Sequence, residues 1–188
     1  MKQIKATGMM LNGRCVSYVA AAMFVLVATA AGAEDSADGT LNPSEYTYEG
    51  ILRKVSERRL SDIECIYGYE FAKHGRHPEA RLILNYCAGE RRLTQAMTLL
   101  SWMDENGYAL DCPDLASAAE WDRRAAELGD SNAQYNYGLR LLRGYGVRQD
   151  ISAGRGYIDR AAASGDEAAQ RLVADHYEVS GVVLSNEQ

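Results

Sequence analysis

Cysteine spacing is the feature of the sequence that says most about chemistry. Cys65 and Cys87 lie eleven residues on either side of Arg76, which falls in a predicted tight turn. At about 1.5 Å per helical residue, both would sit roughly 16 Å from that turn, at matching heights on two antiparallel helices. Residues 1–33 have the features of an export signal, and export permits oxidation. The spacing therefore predicts a Cys65–Cys87 disulfide, with two buried free thiols as the alternative.

Cys112 is then the remaining cysteine beyond residue 33. It precedes Pro113 in a predicted loop, which favours an exposed position. We expect a free thiol or an intermolecular disulfide, and a bridge from Cys112 to Cys87 stays open as a further alternative. A nucleophilic cysteine needs a nearby base that lowers its pKa or shares its proton. No histidine is close in sequence, so we predict no catalytic cysteine.

Two other patterns resemble reactive sites only superficially. His74 and His77 are three residues apart, but Gly75 and Pro78 break the helix that a metal-binding pair would need. The segment Gly144-Tyr145-Gly146 lacks the preceding strand and the Lys-Ser/Thr pair of a phosphate loop. The sequence therefore predicts no metal site and no cofactor, and residues 144–146 are predicted to form a turn between helices.

Acidic pairs offer no clearer evidence for catalysis. Asp104-Glu105 and Asp166-Glu167 lie at predicted helix ends, and helix N-termini favour acidic side chains such as the second pair. No Ser-x-x-Lys motif and no Ser/His/Asp set is visible in the sequence. These observations predict that the chain has no catalytic residues and is not an enzyme.

Internal repetition is the strongest signal of organisation. Residues 114–147 align with residues 150–183 at a constant offset of 36 positions. The matched pairs are Asp114/Asp150, Trp121/Tyr157, Ala125-Ala126/Ala161-Ala162, Gly129-Asp130/Gly165-Asp166, Ala133-Gln134/Ala169-Gln170 and Val147/Val183. Each period is predicted to form two antiparallel helices, A and B, which bury their apolar faces only by stacking on neighbouring pairs.

Composition favours helix along the whole chain after residue 43. Alanine, leucine, arginine and glutamate dominate, only three prolines occur, and no segment alternates between apolar and polar residues. The acidic segment 34–43 is predicted to be a flexible lead-in. Predicted helices cover about 44–58, 62–74, 78–88, 91–106, 115–128, 131–143, 151–164 and 167–180.

The repeated residues resemble the Sel1-like repeat family, a relative of the tetratricopeptide repeats. Tyr137, Leu141 and Tyr157 replace the residues that the family usually has at those positions. The positions that match the family pattern are Trp121, Ala125, Ala126, Gly129, Asp130, Ala133, Gly138, Gly144, Gly146, Val147, Asp150, Ala153, Ala161, Ala162, Gly165 and Asp166. The match is specific over 115–183 and weak over 44–110.

This resemblance implies an all-α, right-handed superhelical solenoid over residues 44–188. Members of the family typically act as scaffolds for protein–protein interaction, so the implied partner is another protein, of the cell envelope if the chain is exported. The alternatives are a cysteine-rich repeat hydrolase of the β-lactam or penicillin-binding type, and a structural oligomer. A homodimer stays open.

Residues 1–33 predict export. Lys2, Lys5 and Arg14 precede the apolar run 15–31, and Ala31-Gly32-Ala33 fits the small-x-small cleavage pattern. The prediction is a cleaved signal peptide and a periplasmic or secreted protein without stable membrane insertion. The alternative is a retained anchor, although the run is at the short end of what spans a bilayer.

The charge of the remaining chain disfavours two classes of partner. Of the 20 basic and 26 acidic residues, three basic ones lie within residues 1–33, so residues 34–188 carry a formal charge of −9. Such a surface repels nucleic acid and anionic lipid. Nucleic acid and anionic lipid are therefore not expected as partners.

Four residues of one predicted A helix are candidates for contacting a protein partner. In solenoids of this type the A helices line the inner curve, where Tyr135, Leu139, Arg140 and Arg143 would face a groove. Tyrosine and arginine are favoured at protein interfaces. The alternative is that the four are ordinary surface residues.

Overall fold

The computed structural model describes residues 47–178 in full and the backbone of two short amino-terminal segments. These segments, β1 (Met10–Leu11) and β2 (Arg14–Cys15), pair antiparallel with Met10 opposite Cys15. The rest of the predicted signal peptide (1–33) and the lead-in (34–43) lie outside the described residues, as do residues 179–188.

Residues 47–178 form a row of antiparallel helices; each packs mainly on its neighbours in sequence, except the first, which packs mainly on the third. The helices are α1 (Tyr48–Ser56), α2 (Ile66–Lys73), α3 (His77–Gly89), α4 (Thr94–Asn106), α5 (Leu115–Glu127), α6 (Ser131–Arg143), α7 (Ile151–Ala163) and α8 (Glu167–Ala174). Helices α2, α4, α6 and α8 are the A helices, and α3, α5 and α7 are the B helices. Within the described residues, no helix combines the length and apolarity needed to cross a membrane.

Four of the predicted helices are more than one residue shorter than the sequence suggests. Helix α1 ends at Ser56 and not at residue 58, and α4 begins at Thr94 and not at residue 91. Residues 62–65 form a turn before α2, so the helix predicted over 62–74 begins only at Ile66. At the other end, α8 stops at Ala174 and not at residue 180. The backbone of His176 and Tyr177 has φ values of 53° and 62°, a left-handed conformation that a right-handed helix excludes.

The offset of 36 residues recurs in the capping hydrogen bonds of the helices. Asp130 and Asp166 are the N-cap residues of α6 and α8, and Asp114 and Asp150 are those of α5 and α7. In each case the carboxylate accepts a hydrogen bond from the backbone N–H three residues later, at 2.8–3.0 Å. The sequence repeat is therefore also a repeat of local structure.

A second recurring hydrogen bond connects the end of α5 to α6 and the end of α7 to α8. The side-chain amide of Gln134 donates to the carbonyl oxygen of Ala126 at 3.3 Å, and that of Gln170 donates to Ala162 at 3.1 Å. Because these bonds cross the tight turn between helices, they fix the angle at which one pair follows the next.

The turn between α6 and α7 requires glycine at one position. Gly146 has a φ of 76°, and a Cβ atom built on it would lie 2.1 Å from the backbone oxygen of Leu115. No side chain fits in that space, so the turn can press directly on the first residue of α5.

The core follows the helices as two clusters and consists mostly of small and aliphatic side chains. One cluster runs from Ile51 through Leu100 and Met103 to Ala133, and a second one contains Leu142 and Ile158. Buried alanines such as Ala125 and Ala133 allow neighbouring helices to approach closely.

A disulfide joins Cys65, the N-cap residue of α2, to Cys87 of α3, as the spacing predicts. The two Cα atoms are 6.0 Å apart, a distance typical of disulfides. Cys65 and Cys87 are both buried, so the bond ties the start of α2 to the core of α3.

The prediction for Cys112 is wrong in one respect. Cys112 is disulfide-bonded, so it is not a free thiol, and its partner is not among the side chains that the structure describes. The alternative bridge to Cys87 is ruled out because Cys87 is bonded to Cys65.

Candidate protein-binding groove

Two adjoining cavities follow the A helices α2, α4 and α6 and together form a groove, called the A-helix groove below. Their volumes are about 570 Å³ and about 260 Å³. The side chains of Thr98, Trp102 and Asn136 line both cavities, so the two are continuous.

Exposed apolar side chains line the larger cavity. Ile66 and Tyr69 are three residues apart on α2 and therefore share one face of that helix, and Trp102 faces them from α4. Their exposed fractions are 60%, 52% and 45%, which is high for such large apolar side chains. A contiguous exposed patch of this kind marks an interaction site more often than an isolated exposed residue does.

Trp102 is held in place by an aromatic stack on its far side. Its ring centroid lies 4.7 Å from that of Tyr108, which in turn stacks on His77 at 4.3 Å. The carbonyl oxygen of Tyr108 accepts a hydrogen bond from Arg81 at 2.8 Å. The position of the Trp102 ring is thus determined before any partner binds.

The two histidines near this stack have no metal-binding geometry. The exposed His74 contacts the backbone oxygen of Glu70 through Nδ1 at 2.7 Å, and His77 packs on Tyr108. Among residues 47–178, no group of three or more His, Cys, Asp or Glu side chains is placed to hold a metal ion.

Arg140, predicted to look into the groove, lies at the floor of the smaller cavity and is only 6% exposed, so it lines the groove as a buried side chain. Its Nε donates to Asp122 at 2.7 Å, and its Nη2 donates to Glu105 at 2.8 Å and to Ser101 at 3.3 Å. The guanidinium thus joins α4, α5 and α6 through Nε and Nη2, while its buried Nη1 makes no hydrogen bond.

The ion pair at the floor has an electrostatic cost. Asp122 is 1% exposed, and this burial raises the pKa of its carboxyl group. The hydrogen bond and positive charge of Arg140 act in the opposite direction and favour the ionised carboxylate. Arg140 is therefore needed to keep a charged aspartate inside the helix stack.

The other predicted residues of α6 divide between the groove and the core. Leu139 and Arg143 line the smaller cavity, where Tyr145 is also exposed. Tyr135 lines neither cavity and packs against the cluster that contains Leu142. The structure thus brings three of the four predicted residues to the groove, one of them buried.

The residues that dominate the larger cavity were missed in the sequence, although a signal for one of them exists. Helices α4 and α6 have the same length and end at Gly107 and Gly144, which have φ values of 71° and 68°. Aligning these two glycines places Trp102 at the position of Leu139, a predicted groove residue. No comparable signal points to Ile66 or Tyr69.

Paired antiparallel helices that stack at a fixed repeat, with their A helices along one groove, define an α/α solenoid. Solved structures identify it as the Sel1-like repeat fold. A Sel1 repeat protein from Oxalobacter formigenes is similar with a TM-score of 0.57 and 24% identity, over 68% of this chain and 96% of that one. The match with a protective antigen of uropathogenic Escherichia coli that displays this fold has a TM-score of 0.58 and 22% identity.

These similarities establish the fold. The second match covers 69% of this chain and only 28% of the antigen, so the similarity spans little more than a quarter of the antigen's chain. No protein-family model and no curated protein matches the sequence.

Proposed function

We propose that this chain is an exported, non-enzymatic scaffold that binds another protein in its A-helix groove. The observation that carries the proposal is the exposure of Ile66, Tyr69 and Trp102 around one cavity. Apolar and aromatic anchors in a preformed groove supply binding energy with little ordering cost. The alignment of Trp102 by Tyr108 and His77 supports such preorganisation.

The side chains of the groove favour binding over catalysis. Among the described residues, the lining of the two cavities contains no histidine and no lysine. Cys65, which borders the larger cavity, is held in a disulfide. The hydroxyl of Ser101 contacts Arg140 and the carboxylate of Asp122, and that carboxylate is itself paired with Arg140. Because Ser101 and Asp122 are both buried and Asp122 is paired with Arg140, this serine is poorly placed to act as the nucleophile that hydrolysis would require.

Export is part of the proposal. The signal-like residues 1–33 and the disulfide between Cys65 and Cys87 support a periplasmic or secreted location, since disulfides persist in oxidising compartments. The partner would then be a protein of the cell envelope, bound by a solenoid that extends over residues 44–188.

Site-specific photo-crosslinking in the native cell tests the proposal. A photoreactive amino acid is placed at Tyr69 or Trp102 in the groove, and at Glu120 on the exposed surface of α5 as the control. We expect a discrete protein adduct from both groove positions and none from position 120. Equal adducts from all three positions, or none from the groove, would contradict the proposal.

A further inference from the structure

Three side-chain amides, those of Gln95, Asn132 and Asn136, line the larger cavity of the A-helix groove. Within residues 47–178 none of these amides is engaged in a hydrogen bond through its side chain. Each offers two N–H donors and a carbonyl acceptor. The cavity therefore combines apolar walls with unused hydrogen-bonding groups of the same chemical type as a peptide backbone.

The spacing of the amides matches an extended chain. Asn132 and Asn136 are four residues apart on α6, which places them about 6 Å apart along the helix axis. In an extended peptide, alternate residues are about 6.6 Å apart and present their backbone groups on the same side. The backbone of a helical ligand would not hydrogen-bond to these amides, because its N–H and C=O groups bond to one another.

The charges of the groove restrict the sequence of the ligand. Three carboxylates line the groove and all are paired: Asp62 with Arg91, and Glu105 and Asp122 with Arg140. Arg143, which lines the smaller cavity and is exposed, makes no ion pair within residues 47–178. A single carboxylate on the ligand would complement it, whereas a basic ligand would find no unpaired acid there.

We infer that the A-helix groove takes an extended peptide segment of its partner with two features. An apolar or aromatic side chain fills the space between Tyr69 and Trp102 while the amides of Asn132 and Asn136 hold the peptide backbone. An acidic side chain further along the segment pairs with Arg143. This inference rests on the proposed scaffold function and specifies the chemistry of the ligand.

A display library of random dodecapeptides is the probe that tests it. We expect the full chain to enrich peptides with an apolar or aromatic residue and an acidic residue at a fixed spacing. Synthetic copies should bind the double variant Asn132→Ala/Asn136→Ala at least tenfold more weakly, the effect of losing about two hydrogen bonds. Arg143→Ala should weaken only the acidic peptides, about two- to fivefold.

Controls separate backbone recognition from general damage. Asn85→Ala changes an exposed asparagine on α3, away from the groove, and should bind as the wild type does. Methylation of the peptide's backbone nitrogens opposite the amides should abolish binding.

Three outcomes would overturn the inference: no enriched peptide, unchanged affinity for the double variant, or selected peptides that bind as helices. In each of these cases a crosslink from position 102 would still support the scaffold function. Loss of that crosslink would remove both proposals.

Discussion

Arg140 and Asp122 form an ion pair in which both partners are buried. The Nε and Oδ2 atoms are 2.7 Å apart, and the two side chains are 7% and 1% exposed. Separated by 18 positions in sequence, they join an A helix to the preceding B helix directly beneath the groove. A pair in this environment stabilises little by itself, but removal of one member leaves a charge without compensation.

Replacement of Arg140 by methionine should therefore lower the free energy of unfolding by about 3–5 kcal/mol. The double variant Arg140→Met/Asp122→Leu should recover most of that loss, because no buried charge then remains unpaired. Urea denaturation at pH 7 measures both effects. Arg143→Met, one turn away on the surface, should change stability by less than about 0.5 kcal/mol. A double variant as unstable as the single one would show that the contacts of Arg140 with Glu105 and Ser101 dominate.

The lowered pKa of Glu64 predicts how the stability of the fold depends on pH. Burial raises its pKa, but hydrogen bonds from Lys54 and Ser61 outweigh this and lower the pKa from 4.5 to about 2. Because the folded state holds the ionised form, the stabilisation is complete above the unfolded-state pKa and is lost as pH falls towards 2. Glu64→Gln should lower the free energy of unfolding by about 1–3 kcal/mol at pH 7 and by nothing near pH 2.

The control for this experiment is Glu120→Gln, whose carboxylate pairs with Arg123 on the exposed side of α5. Its effect should stay below about 1 kcal/mol at all pH values. Thermal unfolding followed by circular dichroism between pH 2 and pH 7 gives both curves. An equal loss for Glu64→Gln at pH 2 and pH 7 would mean that the pair with Lys54 does not set the pH dependence.

Loss of the Cys65–Cys87 disulfide should lower the free energy of unfolding by about 3–4 kcal/mol, since the bond closes a loop with a sequence separation of 22. The measurement is urea unfolding of Cys65→Ala/Cys87→Ala against the wild type, without reductant. The double variant with added reductant reports the separate effect of the disulfide at Cys112. A double variant as stable as the wild type would mean that α2 docks on α3 without the crosslink.

Two glycine substitutions should have effects of opposite sign. Gly146→Ala should destabilise by more than about 2 kcal/mol, because φ is positive and the new methyl group would meet the backbone of Leu115. Gly156→Ala, in the middle of α7 with open space around its Cα, should stabilise by about 0.5–1 kcal/mol. Differential scanning calorimetry distinguishes the two, and a neutral Gly146→Ala would contradict the tight turn.

The sequence predicts local features of this fold better than its long-range contacts. The bounds of α6 are those predicted, because Asp130 caps its start and Gly144 ends it, and both signals lie next to the helix. The predicted end of α8 is wrong. The helix is followed by a left-handed backbone at His176 and Tyr177, and no glycine or proline at these positions signals that conformation in the sequence.

The groove also depends on long-range contacts that the sequence does not predict. The burial of Arg140 was not predicted because its partners Asp122 and Glu105 are 18 and 35 residues away, and no periodic pattern connects them. Asp104, similarly, was taken for an ordinary residue at a helix end, whereas it is 1% exposed and paired with Arg81 across two helices. Buried charge pairs depend on how the helices stack, and the apolar periodicity that predicts the helices does not encode this.

The hydrogen bonds that recur after 36 residues have a consequence for how such a protein can change in size. A segment from Ser131 to Asp166 contains one complete A and B helix together with the aspartate that begins the next A helix. A tandem duplication of this segment would supply every added helix with its own cap and its own glutamine bond. The molecule can therefore be lengthened in whole units, gaining one groove-lining helix each time, whereas insertion of a few residues would break the register at once.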